Sequence, residues 1–198
     1  MVCNTGSRII CENCFDKIPI NSKDKLNILS VYEYKNKIVN KLLWKLKYHH
    51  ANDVAEIFSK KISKEIKTWL KDFPENLEII FIPAPLNKND KRLNNHAETL
   101  AKTISKNFPN SKVIANLLIK NSKKKQAHTK NKHERIENVA NSISISENFS
   151  NLKIFENKLI LIIDDVTTTG ATICNIRNIL SEFLKIPEER ILGVTVAH

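Results

Sequence analysis

The run "LILII" at positions 159–163 is the feature that most restricts how this chain folds. All five residues are apolar and three are β-branched, with Lys158 before the run and Asp164 directly after it. A strand that is apolar on both faces is typical of a parallel sheet covered by helices on both sides, because parallel strands need crossover connections. The run therefore predicts the α/β class.

The rest of the chain alternates in the way that a parallel sheet requires. Apolar segments of strand length alternate with segments of helical periodicity, and one polar, basic stretch at 121–141 interrupts them. We expect right-handed βαβ units forming a parallel sheet flanked by helices. The predicted strands are 26–36 (a strand or hairpin), 77–86, 112–120, 158–164 and 190–197; the predicted helices are two in 36–70, broken at "KYHHAN", then 96–108 and 171–184.

The residues that follow "LILII" carry the chemistry. Asp164 and Asp165 end the predicted strand, and the loop that leads into the next helix is Thr167, Thr168, Thr169, Gly170, Ala171 and Thr172. Ligands of open parallel sheets bind at the carboxyl ends of strands, and N–H groups at a helix start favour phosphate. Gly170 would allow a positive φ and a close approach of the backbone to the anion.

The two carboxylates would repel a phosphate, so they are better suited to sugar hydroxyls or to Mg²⁺. Groups that donate hydrogen bonds to a phosphate, next to carboxylates that accept them from sugar hydroxyls, predict a ribose 5-phosphate site. The alternative is an ordinary strand–turn–helix in which a threonine caps the helix.

The segment resembles the phosphoribosyl pyrophosphate (PRPP) loop of type I phosphoribosyltransferases. The resemblance implies that Asp164 and Asp165 are catalytic: they would hold the ribose 2′ and 3′ hydroxyls and stabilise an oxocarbenium-like transition state. It also implies that residues 167–172 cradle the 5′-phosphate and that PRPP binds with Mg²⁺.

Four further segments resemble the ComF family of bacterial competence-associated phosphoribosyltransferase homologues: "CENCFDKIP", "LLWKLKYHH", "FIPAPLNKNDKRLNNHAETLA" and "KKKQAHTKNKHERIENVANSI". The third implies a pyrophosphate side formed by Pro85, Lys91 and Arg92. After Arg92 the family usually has Gly-Phe-Asn-Gln, whereas this chain has "LNNH" at 93–96.

Residues 1–22 are predicted to form a small head that resembles a zinc finger, and residues 23–198 a phosphoribosyltransferase-like domain. Cys11-x-x-Cys14 close to Cys3 suggests a Zn²⁺ knuckle, but Gly6 stands where a fourth ligand would complete it. Two interpretations stay open: a zinc site with Cys3, Cys11, Cys14 and a further donor, or a finger that has decayed into a cap.

The formal net charge is +11, from 32 Lys and Arg against 21 Asp and Glu, which favours anionic partners. The polar, basic stretch at 121–141 concentrates this charge. It could be a mobile loop that closes over pyrophosphate, a path for single-stranded DNA, or a solvated lysine-rich loop. Its basic residues are Lys123, Lys124, Lys125, Lys130, Lys132 and Arg135.

Two functions follow from the resemblance. One is a competence protein that binds PRPP and handles single-stranded DNA during natural transformation, beside other proteins of the competence machinery. The other is an active phosphoribosyltransferase of nucleotide metabolism that transfers ribose 5-phosphate to an unidentified acceptor. With neither a secretory signal nor an apolar run that would span a bilayer, we expect a cytoplasmic protein that is not an integral membrane protein, with a place at the inner face of the membrane as an option.

Overall fold

The apolar run at 159–163 lies in β7 (Leu159–Val166), an interior strand of a six-stranded sheet. The computed structural model describes residues 9–49, 51–74, 77–86, 95–120, 143–147, 149 and 152–198. The helices are α1 (Glu12–Asp16), α2 (Lys37–Tyr48), α3 (Ala51–Trp69), α4 (His96–Ser105) and α5 (Ala171–Leu184). The other strands are β1 (Lys23–Asp24), β2 (Ile28–Tyr32), β3 (Ile79–Pro83), β4 (Ser111–Val113), β5 (Leu118–Lys120), β6 (Ile143–Ile145) and β8 (Ile191–Ala197).

The order of strands in the main sheet is β1-β2-β8-β7-β3-β4. Strands β2, β8, β7, β3 and β4 pair in parallel, and only the short β1 pairs antiparallel, with β2. The prediction of an α/β protein with a largely parallel sheet flanked by helices is confirmed.

Alternate residues of β7 belong to two different cores, as successive side chains of a strand point to opposite faces. Leu159, Leu161 and Ile163 pack in the core that α2, α3 and α4 cover. Ile160 and Ile162 pack in the second core, which contains the buried side of α5. This is the two-sided burial that the apolar run predicts.

The predicted strand at 112–120 is wrong in one respect, because the chain turns within it. β4 pairs with β3, whereas β5 pairs antiparallel with β6 in a separate two-stranded sheet. Leu117 lies in the turn between them and is fully buried in the second core. The turn forms because Asn116 favours it and because burying Leu117 directs the chain away from the main sheet.

Asparagine side chains fix where two helices begin. Asn36 Oδ1 accepts hydrogen bonds from the backbone N–H groups of Ile38 and Val39 at the start of α2. Asn95 Oδ1 does the same for Ala97 and Glu98 at the start of α4. Each cap satisfies donors that have no partner inside the helix, so both helices start at defined positions.

The head residues from Ile9 onward pack against the rest of the chain through α1. Phe15 is buried in the first core, where its ring lies 6.0 Å from that of Tyr32 and 5.9 Å from that of Phe58. Cys11 and Cys14 lie close together, because the Cys14 N–H donates to the Cys11 carbonyl oxygen at 3.1 Å. Cys3 lies outside the described residues, so the zinc prediction stays a prediction.

Within the described part of the chain, the helices are all too short or too polar to cross a membrane.

Candidate functional site

The candidate site lies where the connections of two neighbouring strands diverge. β3 and β7 are adjacent and parallel, but β3 connects through α4 to β4 on one side, whereas β7 connects through α5 to β8 on the other. The two helices cover opposite faces of the sheet. A crevice opens at the carboxyl ends of strands at such a switch point, and it is the usual ligand site of open α/β sheets.

Asp165 lies near the end of β7, at this switch point, and meets two cations or potential cations. It is buried, and Lys47 Nζ at the end of α2 lies 2.6 Å from its Oδ2. His96 Nε2 at the start of α4 lies 3.5 Å from the same oxygen. Burial works to raise the pKa of Asp165, but His96 and Lys47 outweigh it and hold that pKa well below its usual range.

Asp164 has a different electrostatic environment, although its carboxyl lies close to that of Asp165. Its Oδ1 accepts a hydrogen bond from the Asp165 N–H at 2.8 Å. Burial, and after it the negative charge of Asp165, raise the pKa of Asp164 to about 7. The two adjacent carboxyls therefore differ in charge near neutral pH, with Asp165 ionised and Asp164 partly protonated.

His96, Asp164 and Asp165 could together hold a metal ion. One ligand atom from each side chain lies within 4.8 Å of the others. The two carboxylates suit Mg²⁺, which prefers oxygen ligands, and the imidazole is more typical of transition metals. Lys47 already occupies Asp165 Oδ2, so the fit to Mg²⁺ is better on the Asp164 side of the group.

The loop after β7 is held by its own threonines. Thr167 Oγ1 accepts a hydrogen bond from the Gly170 N–H at 3.0 Å, and Thr169 Oγ1 accepts one from the Ala171 N–H at 3.3 Å. Thr168 and Thr169 are exposed, and Thr172 is half-buried in the first turn of α5. The loop thus presents hydroxyls to solvent at a helix N-terminus, where the dipole favours an anion.

Gly170 has a φ of 80°, so the predicted positive φ is confirmed. Its close contacts, however, are with apolar side chains. A Cβ at this position would lie 3.0 Å from Ile28 Cδ1 and 3.4 Å from Leu26 Cδ1. Glycine is therefore required here by the left-handed backbone and by packing against the start of β2, and an anion would have to approach the loop from its other side.

The end of β3 lies beside the end of β7. The Ala84 N–H donates to the Ile163 carbonyl oxygen at 2.8 Å, which holds Pro85 beside the end of β7. Asn95 Nδ2 donates to the Ala84 carbonyl oxygen at 3.1 Å, so α4 is anchored to the same point. This hydrogen bond places His96, the first residue of α4, close to the ends of β3 and β7.

The structure brings together part of the predicted site. Asp164, Asp165, the loop 167–172 and Pro85 lie at the ends of the adjacent strands β7 and β3. The other predicted site residues lie outside the described residues: Lys91, Arg92, Lys123, Lys124, Lys125, Lys130, Lys132 and Arg135.

Sequence reasoning missed Lys47 and His96 as site residues. Lys47 stands in "LLWKLKYHH", which resembles the ComF family, and His96 stands in "LNNH", where the chain departs from the family pattern. Neither segment predicted a role for them. The available signal was their position. Lys47 directly follows Leu46, the last buried residue of α2. His96 is the first residue of α4, the helix that follows β3 in the chain.

Comparison of the chain with models of known protein families and with curated proteins gave no match in either case.

Proposed function

We propose that this protein binds PRPP at the crevice between β3 and β7 and takes part in handling single-stranded DNA during natural transformation, as the resemblance to the ComF family implies. The observation that carries the PRPP part is the arrangement at the end of β7. Two carboxyls of unequal charge lie next to a threonine-rich loop at the N-terminus of α5, at a switch point of a parallel sheet. A type I phosphoribosyltransferase-like fold is part of the same proposal.

The chemistry follows from which groups face the crevice. Threonine hydroxyls and N–H groups of residues 168–172 would bind the 5′-phosphate, and the Asp164 carboxyl would bind a ribose hydroxyl. Asp165 is more buried and already paired with Lys47, so it would not bind the ribose directly. It would instead keep a negative charge near the ribose. Mg²⁺ bound with PRPP would neutralise pyrophosphate charge, with Asp164 the best placed of the described residues to contact it.

An active phosphoribosyltransferase is the second candidate, and the same observation bears on it. A fixed carboxylate beside the ribose would stabilise positive charge that develops at C1 as pyrophosphate leaves. Nothing in the described residues selects an acceptor.

Isothermal titration calorimetry of PRPP into the protein, in the presence of Mg²⁺, tests the proposal by measuring the affinity for PRPP. We expect binding by the natural protein and its loss in the double variant Asp164→Asn, Asp165→Asn, because neither amide carries the charge that the site supplies. The control is Asp16→Asn with Asp72→Asn, which removes two carboxylates that are exposed and lie elsewhere. Equal PRPP affinity in both double variants would refute the site.

A pyrophosphate-release assay separates the two candidates. Release in the presence of PRPP and a set of nucleobases would establish turnover, and binding without release would favour the ligand-binding role. Binding of a labelled single-stranded oligonucleotide tests the DNA part independently of PRPP.

A further inference from the structure

The outward face of α2 carries an unusual combination of side chains. Lys37, Lys41, Trp44 and Tyr48 follow one another at intervals of four, three and four residues, so they form one stripe along the helix. We call these four residues the outer stripe. The stripe lies opposite the buried face of α2, which consists of Val39, Leu42, Leu43 and Leu46.

Both aromatic rings of the outer stripe are open to solvent. Trp44 is 51% exposed and Tyr48 is 56% exposed. The two ring centroids lie 5.8 Å apart at an interplanar angle of 47°, and the His49 ring lies 4.7 Å from that of Trp44. Large exposed aromatic rings grouped in this way are a common sign of a binding surface.

The charged residues of α2 are all of one sign. Lys37, Lys41, Lys45 and Lys47 all belong to α2, and the helix contains no acidic residue. The whole chain has a net charge of +11. A partner that complements this surface carries negative charge at regular intervals and presents flat faces to the rings.

Single-stranded nucleic acid has both properties, since its phosphates follow the backbone and its bases expose their faces. A duplex hides those faces in its stack. A lipid surface is a poorer match, because the apolar face of α2 is already buried in the protein core and would not be available for insertion.

We propose that the outer stripe binds single-stranded nucleic acid: bases stack on Trp44 and Tyr48, and phosphates pair with Lys37 and Lys41. The inference deepens the DNA part of the proposed function by placing the strand on a described surface, and it does not depend on PRPP binding. Lys47, one residue before Tyr48, pairs with Asp165. Nucleic acid bound along the outer stripe would therefore lie near the candidate site.

Fluorescence anisotropy with a labelled oligodeoxythymidine tests the stacking role. The variant Trp44→Ala, Tyr48→Ala should weaken binding about ten-fold or more, because each stacked base contributes substantially to affinity. Phe183→Ala is the matched control: Phe183 is 38% exposed and lies on α5, so its removal should leave the affinity unchanged.

The salt dependence of binding tests the lysines. Lys37→Gln with Lys41→Gln should reduce the slope of log affinity against log salt by about 0.7 for each phosphate that no longer pairs with a lysine. The control Lys17→Gln with Lys71→Gln removes the same charge from exposed positions elsewhere and should leave the slope unchanged.

Tryptophan fluorescence reports stacking directly. The chain has two tryptophans, and Trp69 donates its indole N–H to Asp24 at 3.0 Å. In Trp69→Phe the remaining emission comes from Trp44, and it should be quenched by the oligonucleotide and much less by a duplex of the same length.

The outcomes separate this inference from the proposed function. If the natural protein binds no single-stranded DNA, the DNA part of the proposed function fails and the inference fails with it. If the natural protein binds and the stripe variants, still folded by circular dichroism, bind equally well, the inference alone is overturned. Stripe-dependent binding to vesicles of anionic phosphatidylserine that is stronger than binding to DNA would replace nucleic acid by a membrane surface and also overturn it.

Discussion

The two adjacent carboxyls at the end of β7 illustrate how neighbouring groups give different chemistry to identical residues. Asp165 points to the face covered by α2 and α4, where it meets Lys47 and His96. For Asp164, burial and the charge of Asp165 raise the pKa by more than the charge of Lys47 lowers it. A sequence that repeats one residue type thus yields one ionised carboxylate and one carboxyl that titrates near neutral pH.

The raised pKa of Asp164 predicts a measurable pH dependence of stability. As the pH rises from ~4 towards about 7, the unfolded state loses the Asp164 proton and the native state keeps it, so this residue lowers the free energy of unfolding by at most about 1.4 kcal/mol per pH unit. Asp164→Asn removes this dependence. The variant should therefore gain stability relative to the natural protein across this range.

Urea denaturation of both proteins at about pH 4.5 and about pH 7.5 measures the effect. A difference in stability between the two proteins that stays constant with pH would show that Asp164 titrates in its usual range.

At the scale of elements, α2 is connected to β7 by the ion pair of Lys47 and Asp165. Lys47→Met removes the cation closest to Asp165 Oδ2 and leaves the buried carboxylate with His96 and the Val166 N–H beside it. This should cost about 1–3 kcal/mol of unfolding free energy. Once Asp165→Asn has removed the charge, the same lysine substitution should cost much less. The double-mutant cycle should therefore give a coupling energy of about 1–2 kcal/mol.

The exposed pair of Lys102 and Glu98 in α4 is the control, because both partners are far more open to solvent. Lys102→Met should cost no more than about 0.5 kcal/mol. Equal costs for Lys47→Met and Lys102→Met would show that the Lys47 pair does not stabilise the packing of α2.

The extent to which these elements could be predicted depends on how local their signals are. The helix 171–184 was predicted with the bounds that the structure shows, since its apolar residues recur at helical spacing and a glycine precedes it. The division of 112–120 into β4 and β5 was not predicted. It depends on pairing with the three-residue strand β6, which is too short to have a periodicity.

The candidate site shows the same limit. Asp164, Asp165 and the loop are contiguous, so a pattern could be read for them. Lys47 and His96 are brought to Asp165 by the packing of α2 and α4 on the sheet, which no local pattern encodes.

At the scale of the whole molecule, one core connects the head to the sheet. Phe15 of α1 and Ile18 are buried together with residues of β2, α2 and α3. The rings of Phe15, Tyr32 and Phe58 form one cluster with centroid distances of 5.9–6.0 Å. The part of the head that the structure describes is therefore continuous with the main core.

This continuity predicts that a single substitution in α1 destabilises the entire protein. Phe15→Ala removes a ring that is 4% exposed and should lower the free energy of unfolding by about 3–4 kcal/mol, as a large-to-small change in a close-packed core does. Phe183→Ala, at a ring that is 38% exposed, should change stability by no more than about 0.5 kcal/mol. Thermal unfolding followed by both circular dichroism and tryptophan fluorescence measures this. The two signals should shift together in Phe15→Ala, whereas a loss below about 1 kcal/mol would show that α1 folds on the sheet without stabilising it.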